Sequence, residues 1–356
     1  MTGQTRHIVR ALIRPKSPPS RAASATDARY FCFPGQIFRL EQATMSQSSL
    51  PRLGFIGAGR LARCLALCFS RAGYPVTAVA SRSAASASRL ASQIGHCAAF
   101  DNPQQVVDAA DIVFLAVPDD SIGTSAHTLR FIPDRAAGPY GKALVHCSGA
   151  SPVELLAPAR DQGAAIGGFH PLYLFSGDLA DLERIAGCSV TIEADGALKD
   201  ELTALAVALR CHPLSIPPGG RMLYHAAAHY AASFALCSLA ECVALWRTLG
   251  FAEDDALRAL LPMLSGTIET ARDKGLPNAL AGPVSRGDTG VVRKQLALLE
   301  GLGGDHAALY GLLTRRAVEL AERRATPPAA IEAISQAVEE SLSRSLNQAA
   351  AGASVK

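Results

Sequence analysis

Gly57-Ala58-Gly59-Arg60-Leu61-Ala62 is a G-x-G-x-x-A run that follows a short apolar segment and opens a stretch with apolar residues at helical spacing. That spacing suits a diphosphate. Gly57 permits the tight turn, Gly59 lets the backbone approach the phosphates, and Ala62 allows close helix–sheet packing. The amides of Ala58 to Leu61, at a helix N-terminus, would face the anion. An NAD site would carry an Asp or Glu about 20 residues on, yet no acidic residue occurs between Gly57 and Phe100. The next apolar run ends instead in Ser81-Arg82-Ser83. One guanidinium and two hydroxyls suit a ribose 2′-phosphate through charge-assisted hydrogen bonds, with Arg60 adding to the field. NADP(H) is therefore the expected cofactor, against the plainer reading of Arg82 as a solvated loop residue.

Three further apolar runs end in chemistry-bearing groups. One ends in Val117-Pro118-Asp119-Asp120, one in His146-Cys147-Ser148 and one in His170-Pro171-Leu172-Tyr173. Ligands of open α/β sheets gather at such carboxyl ends. Val117, Pro118 and Ser148 are expected beside the cofactor, with Ser148 and His170 on its nicotinamide side. Hydride transfer to a carbonyl or imine needs a proton donor. His225, with Tyr224 beside it, is the first candidate and His170 the second. Ser148 would orient the substrate, and Arg286 would clamp a substrate carboxylate while Asp288 caps a helix. A histidine in an alanine-rich helix is equally often a core residue with a satisfied hydrogen bond. His225 and His229 share a helix face, but without an intervening Glu or a third ligand no metal site is expected.

The elements that must position these groups follow from hydrophobic pattern. Apolar runs at 53–57, 76–80, 112–117, 143–147 and 164–169 alternate with helical stretches at 60–72, 83–94, 103–109, 120–130 and 152–161. This predicts a mostly parallel, doubly wound α/β Rossmann sheet. Strands at 188–193 and 212–216, flanking a helix at 196–209, would extend it. After Pro217-Pro218-Gly219-Gly220 no strand pattern recurs. Helices are expected at 220–249, 253–272, 289–300, 304–323 and 328–347, forming an all-α C-terminal domain. The expected organisation is a disordered basic extension over 1–49, a nucleotide-binding domain over 50–218, and a substrate and dimerisation domain over 219–350. Residues 1–44 hold seven Lys/Arg against two acids.

Composition excludes several classes. A net charge of +3, with no basic blocks interleaved with aromatics, argues against nucleic acid. Nine scattered cysteines without a C-x-x-C pair read as small core hydrophobes of a reducing, cytoplasmic setting. Met222 to Ala240 is uncharged and of membrane-spanning length. Its histidines, tyrosines and alanines instead suit a helix buried between protein layers, and a homodimer through the helical domain.

GFIGAGRLA, AVPDDSI, HCSGA, GGFHPLYLF, YHAAAHYAAS and AGPVSRGD occur in this order. Together they resemble bacterial Rossmann-like proteins with a C-terminal helical domain of unknown function, over about residues 50–330. These are commonly described as NADP-dependent oxidoreductases, distantly related to pyrroline-5-carboxylate reductase and deazaflavin-dependent NADP reductases. The resemblance implies an NADP-dependent oxidoreductase, and the expected function is an NADPH-dependent reductase of a small carbonyl or imine compound working in the cleft between the domains. Family members usually carry Gln-Thr where this chain has Tyr173-Leu174, Ser-Asn where it has Ala232-Ser233, and Lys where it has Arg221. The lysine acid of the related hydroxyacid dehydrogenases has no counterpart, because none of the six lysines falls in 220–249. A dinucleotide-binding sensor without turnover is the alternative.

Overall fold

The computed structural model describes residues 50–132 and 140–353, and the basic extension expected over 1–49 lies outside them. The first strand is β1 (Leu53–Ile56), all of it buried. It feeds α1 (Arg60–Arg71), whose Ala62, Leu65, Cys68 and Phe69 are buried. Then come β2 (Val76–Ala80), α2 (Ala84–Ile94), β3 (Ala98–Phe100), α3 (Pro103–Ala109) and β4 (Ile112–Leu115). A 3-10 turn leads into α4 (Ile122–Thr128), followed by β5 (Ala143–His146), a second 3-10 turn, α5 (Ala157–Arg160) and β6 (Ala165–Pro171). Short α6 (Asp181–Arg184), β7 (Ser189–Glu193), α7 (Gly196–Ala208) and β8 (His212–Ser215) complete the α/β part.

The strands form one sheet in the order β3-β2-β1-β4-β5-β6-β7-β8. All neighbouring pairs are parallel except β6–β7. The first six strands have the doubly wound Rossmann order, which reverses between β1 and β4. Helices cover both faces. Phe55, Phe69, Phe114 and Phe169 stack on the face under α1 and α7, with Phe114 ring centroids 5.1–5.6 Å from the other three. Val106, Ile122, Ala126 and Leu156 cover the opposite face above Ile56 and Leu115. Strands buried on both sides read as continuous apolar runs, which is why they are legible in sequence.

β3 is the strand that the hydrophobic pattern misses. Its three residues, Ala-Ala-Phe, are largely exposed and too few to show a period. β8 is exposed along its whole length, and the His212 N–H donates to the Cys188 carbonyl at 2.8 Å.

The helix expected over 220–249 is broken. It forms α8 (Arg221–Ala231) and α9 (Ser233–Thr248), separated by Ala232 with non-helical dihedrals. The chain divides into two compact units after Ala228, inside α8. The second unit continues through α10 (Glu253–Lys274), α11 (Leu276–Ala279), α12 (Gly282–Arg286), α13 (Thr289–Leu302), α14 (His306–Glu322) and α15 (Ile331–Ala353). Its larger core joins Val284, Val292, Leu296, Val318, Val338 and Leu342. A smaller one joins Val243, Ala256 and Leu260.

The segment 222–240 is not buried between layers of this chain. Met222, Leu223, Tyr230 and Leu236 are 64–78% exposed. Among the described residues Arg221–Thr248 is the one stretch long and apolar enough, by length and composition, to cross a membrane. The apolar residues that suggested burial run round much of the helix, and a single chain covers little of them.

Candidate active site

The glycine loop follows β1 at the point where strand order reverses. Gly57 has φ +112°, and a Cβ there would stand 2.1 Å from the Ala116 carbonyl oxygen, so only glycine fits. Gly59 is different. Its φ is −75° and a Cβ would meet nothing within 4 Å, so the space beyond it is open. Gly59 is the N-cap of α1, no side chain caps that end, and the first turn holds no acid. The first intrahelical bond runs from the Arg63 N–H to the Gly59 carbonyl, leaving the preceding helical amides for an anion.

Beside this loop lies a groove of about 570 Å³. Gly57, Ala58, Gly59, Ser81, Arg82, Ser86, Asp101, Val117 and Pro118 line it. That size is within the range of cofactor pockets, roughly 300–1,000 Å³. The cradle therefore fits a dinucleotide: amides for a diphosphate, an opening that a side chain would close, and Arg82 with two serine hydroxyls near the end of β2.

Four of the expected cofactor residues, Arg60, Leu61, Ser83 and Ser148, do not line the groove. The Arg60 side chain lies along Gly177, where a Cβ would stand 3.2 Å from Arg60 Cγ. It borders a separate small cavity with Arg63 and Asp178. Ser83 caps α2, its hydroxyl accepting from the Ser86 N–H at 3.3 Å and the Ser86 hydroxyl at 3.0 Å. Ser86, one turn into α2, lines the groove in its place. Asp101 was missed because it lies after β3, itself unrecognised.

A second cluster forms at the carboxyl ends of β5 and β6 with the first turns of α8, all within the first unit. Strand register sets it. Leu115 pairs with His146, His146 with Gly168, and Gly168 with Glu193. Register partners share a face, so His146 and Glu193 flank the bare Gly168. Arg221 fills that gap. A Cβ on Gly168 would stand 1.9 Å from Arg221 Nη2. The guanidinium is 3% exposed; its Nε donates to the Glu193 carboxylate, and Nη1 donates to the Ser148 carbonyl at 2.7 Å. Nη2 has no hydrogen-bond partner, nor does Nε2 of the fully buried His146.

Arg221, Tyr224 and His225 are spaced i, i+3 and i+4 on α8, so they share its sheet-facing side. The Tyr224 hydroxyl and His170 Nδ1 are 3.3 Å apart, a hydrogen bond whose direction depends on the tautomer of the ring. The His170 and His225 ring centroids are 6.2 Å apart. Both rings press on Gly149, where a Cβ would lie 2.7 Å from His225 Cδ2 and 2.8 Å from His170 Cε1. Burial drives the His170 pKa down to about 4, helped by the Arg221 charge and His225. Burial drives that of His146 down to about 3, with Arg221 and His170 adding. Both rings are neutral at neutral pH. Burial raises the Tyr224 pKa, so the phenol keeps its proton.

Ser148 is present but turned inward. It is 8% exposed, and its hydroxyl accepts from the Ala150 and Ser151 N–H groups at 3.2 and 2.9 Å. It shapes the loop that carries Gly149, because a serine followed by two tight-turn residues hydrogen-bonds its own backbone. Arg286 lies in the second unit, 61% exposed, and donates to Asp288 at 2.9 Å. Asp288 stands at the N-cap of α13, but its carboxylate takes this arginine rather than a helix amide. Tyr173, one of the family departures, folds onto buried Asp181 at 3.0 Å. Sequence reasoning missed His146, Glu193 and the packing role of Arg221. The signal was the two glycines of Gly167-Gly168, which leave room on a strand for a large neighbour. Among the described residues no group of three or more His, Cys, Asp or Glu is placed to hold a metal.

The fold and this site define a protein that joins a doubly wound Rossmann unit to a helical one. Residues 40–171 match the model of a Rossmann-like domain, and residues 188–317 match that of the domain of unknown function DUF2520. The chain thus carries matches to these two domains in this order. Protein TM1727 from Thermotoga maritima is similar at 25% identity, over 76% of this chain and 100% of that one, with a TM-score of 0.60. BF3122 from Bacteroides fragilis, named a candidate NADP oxidoreductase, is 23% identical over 76% of this chain and 98% of its own, with a TM-score of 0.58. An imine reductase from Myxococcus stipitatus, solved with NADP+, is 20% identical over 79% of this chain and 98% of its own, with a TM-score of 0.55. No curated protein matches the chain.

Proposed function

We propose that the protein is an NADP(H)-dependent oxidoreductase acting on a small carbonyl or imine compound. The observation that carries this reading is the groove at the β1/β4 reversal. It joins an uncapped helix N-terminus and the open side of Gly59 to Arg82, with no carboxylate at the end of β2. A 2′-phosphate is favoured there by Arg82, Ser81 and Ser86 through charge-assisted bonds. Structural relatives solved or named with NADP lend support.

A bound nicotinamide dinucleotide supplies or accepts a hydride. The chain's own residues supply the proton. Neutral His170 donates its Nδ1–H to the Tyr224 oxygen, which leaves the phenol O–H for the carbonyl oxygen or imine nitrogen. His225, on the same helix face, packs beside the His170 ring over Gly149. The two units of a homodimer are proposed to pair through the helical part, whose exposed apolar side chains a second copy would cover.

Calorimetry with NADPH and NADH tests the cofactor, and a panel of small carbonyl and imine compounds tests turnover. Tyr224→Phe is expected to abolish turnover while NADPH affinity is retained. No heat from either nucleotide would end this reading.

A further inference from the structure

We propose that Arg221 is the positioning residue of this site, seated in the gap left by Gly168 so that the first turn of α8 holds Tyr224 against His170. This rests on the reading of Tyr224 and His170 as the proton-donating pair, but its geometry stands apart from any cofactor.

Arg221 ties its helix to three places on the sheet. It reaches Glu193 at the end of β7, the Ser148 carbonyl after β5, and the surface of Gly168 on β6. Each contact fixes a different direction, so α8 can neither slide along the sheet nor rotate on its axis without breaking one. The planar fork of arginine satisfies such a set, whereas an ammonium lacks the same fixed directions. Tyr224 is one turn later on the same side, and its hydroxyl reaches His170. The Ser148 carbonyl that receives Arg221 also begins the loop carrying Gly149, on which both histidine rings rest. One side chain therefore sets the helix and the loop together.

The location is costly, which argues for a specific role. A buried guanidinium with one nitrogen unpaired carries a desolvation penalty that an apolar residue avoids. The charged and titratable groups facing His170 are His146 on β5, Glu193 on β7, and Arg221, Tyr224 and His225 on α8. Burial holds both sheet histidines neutral, and the Arg221 charge beside them adds to it.

The test is nitrogen-15 NMR of labelled histidine in the full chain, without nucleotide. In the unaltered protein His170 is expected as the Nδ1–H tautomer, titrating near pH 4. Arg221→Met should return the ring to the tautomer mixture of a free imidazole and move its midpoint up by about one pH unit. Arg221→Lys should keep a low midpoint yet lose the single tautomer, because it preserves charge but not direction. Glu193→Gln retains the guanidinium and guards against misfolding of the arginine variants; it too should loosen the tautomer. A wild-type His170 signal in Glu193→Gln, or in a folded Arg221→Met, overturns the proposal. Nucleotide calorimetry on the same samples reports separately on the cofactor, so failure of one idea does not imitate failure of the other.

Discussion

His170 on β6 and Tyr224 on α8 are 54 residues apart in sequence, and their polar atoms lie 3.3 Å from each other. The pair exists because β6 extends past its register with β5, carrying His170 beyond the level of His146, while Arg221 brings α8 down onto the bare strand below. The imidazole is neutral and the phenol protonated around pH 7, the state needed by a donor for reductive chemistry.

Arg82→Ala should weaken NADPH by roughly 10- to 150-fold, the range for losing a hydrogen bond to a charged group. NADH should change by less than about twofold, since it offers Arg82 no phosphate. Titration calorimetry with both nucleotides measures the ratio, and equal losses would remove the 2′-phosphate assignment.

The two loop glycines should separate stability from binding. Gly57→Ala forces a side chain onto the Ala116 carbonyl at positive φ and should cost about 2–4 kcal/mol, read as a lowered urea midpoint. Gly59→Ala meets no protein atom, so its midpoint should shift by under about 1 kcal/mol. Nucleotide affinity should nevertheless fall steeply, because the methyl group enters the space kept for phosphate. A Gly59→Ala variant that binds normally would show that the groove holds something else.

Stability should fall with acid through the buried histidines. Their folded pKa values, about 3 for His146 and about 4 for His170, lie below the unfolded value of 6.5. The unfolded chain therefore binds more protons in this window. The stabilisation is fully present above pH 6.5 and drains away as pH falls toward 4 and then 3. The shifts correspond to a loss on the order of 3 kcal/mol for His170 and 5 kcal/mol for His146. Urea midpoints between pH 7 and 4 should drop. The slope should flatten in His146→Asn, which keeps an acceptor for the Ser148 N–H. An unaltered slope in that variant would place the acid sensitivity in other groups.

Light scattering at micromolar concentration should give twice the mass of one chain. Leu236 is 64% exposed on α9, and Leu236→Glu should shift the population toward monomer without changing the helical signal in circular dichroism. A wild-type monomer would contradict the proposed dimer.

Much of the Rossmann unit was legible in the sequence because its strands are buried on both faces. Runs such as LGFI and IVFL have no other plausible reading, and the glycine loop follows the first of them. β3 escaped because three exposed residues carry no period. The break at Ala232 escaped because alanine signals helix, and nothing local marks the turn. At the site, residue type and position mark His170 and Tyr224 only as separate candidates. Their bond, and the arginine beneath it, depend on strand register and on a missing Cβ, which are tertiary facts. Residue type alone points Arg60, Ser83 and Arg286 toward ligands, but side-chain direction and local capping set where they lie.

The outermost strand, β8, has one more consequence. Because the His212 N–H turns inward to Cys188, alternation turns the nitrogen of Pro213 outward, where it has no hydrogen to offer. Another chain that tried to continue the ladder there would find a donor missing from the row. This rim of the sheet is thus blunted against strand-to-strand aggregation.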